Sequence, residues 1–234
     1  MKLLKQLSAL LFPPRCVFCH HILENDDIIC DECSTSLPYR PKNKRTDVFP
    51  YIDACITPFY YEDAVRDAII RYKFYGVRGN ADVFARLMLE CYQQDLFGKT
   101  DIVSWVPVSR RRLRKRGFDQ AEQLANALCT LVGREPTKTL VKIRNNNPQS
   151  LQKTAAGRRA NVIGAYRLTK ESVAGKSILL IDDIVTSGST ISECAYMLRA
   201  AGAKKVYVLA LAKTPNPKKR IETYQKSGIM KRGK

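Results

Sequence analysis

No apolar run in these 234 residues approaches the roughly 20 residues of a membrane-spanning helix. Residues 2–12 also lack a small-residue cleavage site before Pro13-Pro14, which argues against a cleaved export signal. These absences predict a cytoplasmic chain with no membrane span. Leu3, Leu4, Leu7, Leu10 and Leu11 fall at helical spacing, and a short amphipathic helix packed on the body is favoured over a membrane anchor. Acidic residues are scarce: 22 Asp and Glu face 40 Lys and Arg, a net charge of +18 that attracts polyanions such as nucleic acid, phosphorylated ligands or anionic membrane. A nucleotide-binding P-loop is missing too. The one Gly-Lys-Ser, residues 175–177, has Lys170 where the first Gly belongs and precedes its strand, which excludes the ATPase reading. What remains, at 45% hydrophobic residues, is a globular chain able to bury one full core and carry a small appendage.

Eight cysteines divide into two groups. Cys16-x2-Cys19, ten residues, then Cys30-x2-Cys33 has the spacing of two knuckles of a tetrahedral structural zinc site. Disulfides are the alternative, but without an export signal the compartment is reducing and four close thiols favour metal. His20 and His21 are possible substitute ligands that a complete set of four cysteines makes unnecessary. A knuckle this small has no core of its own, so metal binding supplies folding energy. Cys55, Cys91, Cys129 and Cys194 lie in apolar surroundings and read as small core residues.

The chain is organised around residues 177–190. Ile178, Leu179, Leu180 and Ile181 suit a strand buried on both faces of a parallel sheet. Asp182 and Asp183 follow at its C-terminal end, then Thr186, Ser187, Gly188, Ser189 and Thr190, then the helical pattern of residues 191–201. Backbone N–H groups at a helix N-terminus favour phosphate, Gly188 permits close approach, and the hydroxyls add donors. Carboxylates beside such a cradle suit ribose hydroxyls or a divalent metal.

Around this centre, residues 37–50 carry three prolines and Arg40, Lys42, Lys44 and Arg45 without periodicity, and read as a linker. Residues 52–61 have strand character, and 64–75 are helical with Val65, Ala68, Ile69 and Tyr72 on one face. Residues 71–75, Arg-Tyr-Lys-Phe-Tyr, interleave aromatics with charge as single-stranded nucleic-acid platforms do, although packing on a sheet is the commoner explanation. A second apolar strand, 102–108, leads through Ser109 into Arg110, Arg111, Arg112, Arg114, Lys115 and Arg116, read as a cationic loop at a sheet edge facing the phosphate cradle. A solvated charged loop is the bland alternative. It is disfavoured because guanidinium forks suit phosphate and no acids balance these. A helix over 121–131 follows, with Leu124, Ala127, Leu128 and Leu131 as its stripe. Residues 144–161, with Asn145-Asn146-Asn147-Pro148, read as a long mobile loop. Strands are predicted over 162–168 and 206–212, with Gly202 capping the helix between. The end of the chain is basic, with Glu222 as its single acid from residue 213 on, and reads as a disordered, polyanion-seeking tail.

The stretch Ile-Leu-Leu-Ile-Asp-Asp-Ile-Val-Thr-Ser-Gly resembles the signature with which type I phosphoribosyltransferases bind 5-phosphoribosyl-1-diphosphate (PRPP). The order of four-cysteine knuckle, Val-Pro-Val-Ser, Arg-Gly-Phe-Asp-Gln, Gln149-Ser150-Leu151, Arg158-x-x-Asn161 and Asp-Asp loop resembles the ComF family of ComFC- and GntX-like competence proteins, over about residues 16–213. Asp119 stands where Asn is usual, putting that residue's phosphate contact in doubt, and Ser187 where Thr is common.

The resemblance implies an α/β fold with an open, mostly parallel sheet and helices on both faces, over residues 46–213. A zinc-binding unit over 1–45 precedes it and the basic tail of 214–234 follows. It implies that Asp182 and Asp183 hold the ribose, that residues 186–190 hold the 5-phosphate, and that Ser109, Arg110, Arg112 and Arg116 with Mg2+ take the pyrophosphate. Gln149 and Arg158 lie on a loop that closes over the site. It further implies a role in natural transformation and DNA uptake, with single-stranded DNA and other competence or recombination proteins as partners. Active transfer to a base, an amine or a nucleic-acid end is the alternative, because a pocket does not by itself establish turnover.

Overall fold

The structure, a computed structural model, describes residues 13–23, 27–75, 79–144 and 163–215. The helix expected over residues 2–12, the loop expected over 144–161 with Gln149 and Arg158 (all but residue 144), and the tail beyond residue 215 lie outside the described residues.

In chain order the elements are α1 (Asp31–Ser36), β1 (Thr46–Phe49), β2 (Ile52–Ile56), β3 (Phe59–Tyr60), α2 (Asp63–Phe74), α3 (Asn80–Cys91), β4 (Ile102–Trp105), α4 (Arg110–Arg116), α5 (Gln120–Leu131), β5 (Leu140–Lys142), β6 (Tyr166–Leu168), β7 (Ser177–Val185), α6 (Ser189–Ala200) and β8 (Lys205–Lys213). The main sheet has the order β1-β2-β8-β7-β4, with β3 also pairing β8. All pairings are parallel except β1 with β2. β7 and β8 are central because their apolar runs leave no polar face to turn to water.

The sheet separates two cores. On one side Leu179 and Ile181 of β7 meet α2, α3 and α5, with Val65, Ala68, Ile69 and Tyr72 as the buried face of α2. Cys16, Val17, Phe18 and Cys33 join this same core, and the Phe18 ring lies 6.3 Å from Phe59 and 6.4 Å from Phe84. On the other side Ile178 and Leu180 meet α6 and the small β5-β6 pair. Gly202, at φ 87°, ends α6 in the left-handed conformation expected of a residue just past a helix. No helix among the described residues is long and apolar enough to cross a membrane.

Four expectations need correction. The segment read as a linker holds edge strand β1, and its cations are not all solvated: Arg40 and Arg45 are buried. Arg40 pairs with Asp47 at 2.9 Å and Arg45 with Asp95 at 2.5 Å, and backbone carbonyls take further donors of Arg40, which is what lets a guanidinium leave water. The cationic loop is helix α4. The Ser109 side chain caps its start, and Gly117, at φ 77°, ends it in a conformation few other residues adopt cheaply. The strand expected over 162–168 narrows to β6, which pairs antiparallel with β5 apart from the main sheet. Leu131, expected in the apolar stripe, is 41% exposed at the last position of α5.

Candidate functional site

β7 does not stop at Ile181 but runs through both carboxylates to Val185. Strand side chains alternate, so Asp182 takes the side of Leu180 and Asp183 the side of Ile181. Asp183 is buried and pairs through Oδ2 with Lys73 Nζ of α2 at 2.8 Å. Asp182 Oδ1 accepts the Asp183 backbone N–H at 2.8 Å. Burial first, and then the Asp183 charge, pushes the Asp182 carboxyl well above the usual carboxylate range.

After β7 the chain turns through Thr186 and Ser187 to Gly188, which precedes α6 at φ 77°. The space beside Gly188 is taken by Phe49 of β1: any Cβ there would run into its ring. Gly188 therefore admits a ring of the protein as well as a left-handed turn. Ser187 Oγ and Ser189 Oγ bond one another at 2.8 Å. Asp182, Thr186, Gly188 and Thr190 line a recess over the start of α6.

β4 pairs β7 with Trp105 opposite Ile181, so the segment leaving β4 emerges at the same sheet edge as this recess. Among the predicted phosphate ligands, Ser109 is buried and accepts from Arg112 N at 3.5 Å, so it holds α4 in place. Arg110 is exposed, while Arg112 and Arg116 are half-buried. Arg116 lies within electrostatic range of Asp183, and Arg112 within that of Lys142 and Tyr166. Burial draws the Arg116 guanidinium below its usual range.

Asp119 is 5% exposed and structural. Oδ2 accepts from Val108 N at 2.8 Å, and Oδ1 accepts from Ala121 N and Glu122 N at 3.1 and 3.4 Å. It ties the end of the β4 segment to the start of α5, and burial lifts its pKa to about 6.

Two lysines escaped the sequence reading. Lys73 sits in the aromatic-cationic stretch of 71–75, one residue past the buried Tyr72, and that adjacency was its only signal. Lys142 donates to Tyr166 Oη at 3.0 Å, and burial and then the Arg112 charge lower its pKa to about 8. Nothing in its local sequence marks it.

The thiols of Cys16, Cys19, Cys30 and Cys33 all lie within 4.8 Å of one another, with Cys19 Sγ 3.4 Å from Cys30 Sγ. Zinc–sulfur bonds of about 2.3 Å in a tetrahedron need sulfurs roughly 3.8 Å apart, so the donor set fits zinc. His20 and His21 are not in this group.

Residues 81–232 match the family model for the phosphoribosyl transferase domain, and residues 7–45 that for the double zinc ribbon domain. The chain is 27% identical over 206 residues to DNA utilization protein YhgH of Escherichia coli O6:H1, covering 85% of this chain and 90% of that protein. It is 24% identical to Competence protein F of Haemophilus influenzae (79% and 84% covered), and 32% identical to Competence protein ComFC of Streptococcus pneumoniae (66% of each). Among solved structures it resembles the allosteric regulatory enzyme of purine biosynthesis (24% identity, TM-score 0.39) and the glutamine PRPP amidotransferase of B. subtilis (25%, 0.40), covering 57% of this chain and 26% of each. It thus spans about a quarter of the length of those two enzymes. With the transferase domain matched over more than half of its length and the ribbon ahead of it, the chain belongs to the phosphoribosyl transferase domain family and, within it, to the ComF family of competence proteins.

Proposed function

We propose that this protein acts in the cytoplasm in DNA uptake for natural transformation, binding PRPP or a similar ribose phosphate with Mg2+ at the edge of β7 and binding single-stranded DNA through its cationic surface. One observation carries the reading: the acidic pair, the start of α6 and the arginines of α4 converge on one sheet edge. In open α/β sheets that edge is where ligands bind. Asp182 and Asp183 orient the ribose, residues 186–190 take the 5-phosphate, and Arg110, Arg112 and Arg116 serve the pyrophosphate side on a helix that Ser109 caps. Gln149 and Arg158 belong to this reading as loop residues. Mg2+ would neutralise charge on the diphosphate. The names of the relatives, DNA utilization and competence proteins, support the DNA role.

Calorimetry with Mg-PRPP tests the pocket. Replacing Asp182 and Asp183 together by Asn keeps shape and removes charge, so affinity should drop at least tenfold, and unchanged affinity would show the ligand assignment to be wrong. Active transfer to a base, an amine or a nucleic-acid end is the second reading, favoured by Arg116 lying within electrostatic reach of Asp183, where a leaving diphosphate needs cations. Pyrophosphate release from PRPP and Mg2+ with candidate acceptors distinguishes turnover from binding.

A further inference from the structure

Phe74, the last residue of α2, and Tyr75 beside it are 57% and 74% exposed. The residues just before them are all engaged. Arg71 donates to the Val17 and Phe18 carbonyls at 2.8 Å, Tyr72 is buried with its hydroxyl on the Gln120 carbonyl at 2.9 Å, and Lys73 holds Asp183. Burial of α2 therefore ends immediately beside the acidic pocket, and two adjacent aromatics are left in water there.

The Arg116 guanidinium lies 4.8 Å from the centre of the Phe74 ring. It is steadied by Gln120, 1% exposed, whose Oε1 accepts from it at 2.7 Å. A ring backed by a positioned guanidinium offers a π surface to any nucleobase. The other cations of α4, Arg110, Arg111, Arg112, Arg114 and Lys115, have no acid among them and complement a phosphate backbone.

We infer that Phe74, backed by Arg116, is a stacking platform that takes a base of single-stranded nucleic acid at the mouth of the ribose-phosphate pocket. The inference rests on the DNA-binding reading above and names the place where a base, rather than a phosphate, is held. Stacking is tolerant of sequence but requires a base, whereas the cations respond only to phosphates.

The test uses the full chain and two labelled oligomers with equal phosphate counts, oligothymidylate and its abasic analogue, titrated by fluorescence anisotropy over a salt series. The wild-type protein should prefer the base-bearing oligomer by about 5- to 150-fold, the effect of one stacked base. Phe74→Leu should abolish that preference while leaving the salt slope and melting temperature unchanged. Phe74→Trp should retain it, with fluorescence quenched by the base-bearing oligomer and not by the abasic one. Equal wild-type affinity for the two oligomers, or a Phe74→Leu protein that keeps the preference, overturns the platform alone. Failure to bind either oligomer overturns the DNA reading and the platform with it. Competition by polyglutamate that matches oligothymidylate and exceeds the abasic strand assigns the surface to an acidic protein instead.

Discussion

Asp182 and Asp183 are adjacent in the chain and identical in chemistry, yet the fold treats them differently. Asp183, on the α2 side of β7, receives the cation of Lys73, and the two side chains stay only 12% and 16% exposed. Asp182, on the α6 side, is half-buried at the recess and has no ion-pair partner among the described residues, and burial with the Asp183 charge raises its carboxyl above the usual range. Lys73 and Lys142 act on it only at longer range, because Lys73 is paired with Asp183 and the Lys142 ammonium is directed to Tyr166. A buried carboxylate is tolerable where a cation is delivered to it and costly where none arrives. The difference teaches that a sequence-adjacent acidic pair in a strand comprises two sites, each set by the layer of the fold it faces.

The largest effect expected on this contrast comes from the thiol ribbon, which packs on the Asp183 side. Cys16→Ser should release zinc and cost several kcal/mol, since metal binding is folding energy for such a unit. Hydrogen exchange should then quicken along α2, whose Arg71 loses the Val17 and Phe18 carbonyls, and stay slow along α6. Equal response of the two helices would break the comparison.

Acid titration comes next. Asp119 has a pKa raised from 3.8 to about 6, so the folded protein holds a proton that the unfolded chain has shed. Its stabilising contribution is complete below pH about 4 and is lost as pH rises through about 6, a change of about 3 kcal/mol. Asp119→Asn should flatten denaturation midpoints across that window. It should also lower stability at neutral pH if its amide meets the Val108 N–H, donor against donor, and a profile as steep as wild type would reject the assignment.

The smallest effects compare the two carboxylates directly. Asp183→Asn leaves Lys73 unpaired and should destabilise by about 2 kcal/mol, less than the ~3–5 kcal/mol of a fully buried pair because both groups keep some water. Asp182→Asn keeps the acceptor for the Asp183 N–H and removes an uncompensated carboxyl, so stability at pH 8 should hold or rise by up to about 1 kcal/mol. Urea unfolding of the two variants at pH 8 decides it, and equal losses would mean the two sites are not distinct.

Much of the architecture was legible from residues. Unbroken apolar runs marked β7 and β8, a stripe of four residues marked the buried face of α2, and cysteine spacing anticipated the thiol cluster. The caps of α4 were equally local, yet charge density drew attention to exposure and away from the Ser109 start and Gly117 stop that make it a helix. Apolar Ile184 and Val185 likewise continued the strand through both acids. Other features had no local signal. Arg45 is buried because Asp95, fifty residues on, meets it, and Gly188 is crowded because Phe49 arrives from β1. Which carboxylate obtains a cation depends on Lys73 of α2 lying over one face of β7 and not the other. Periodicity and capping act over a few residues and can be read along the chain. Charge pairing and close packing act over a few ångströms between segments far apart in it, and they exist only once those segments have met.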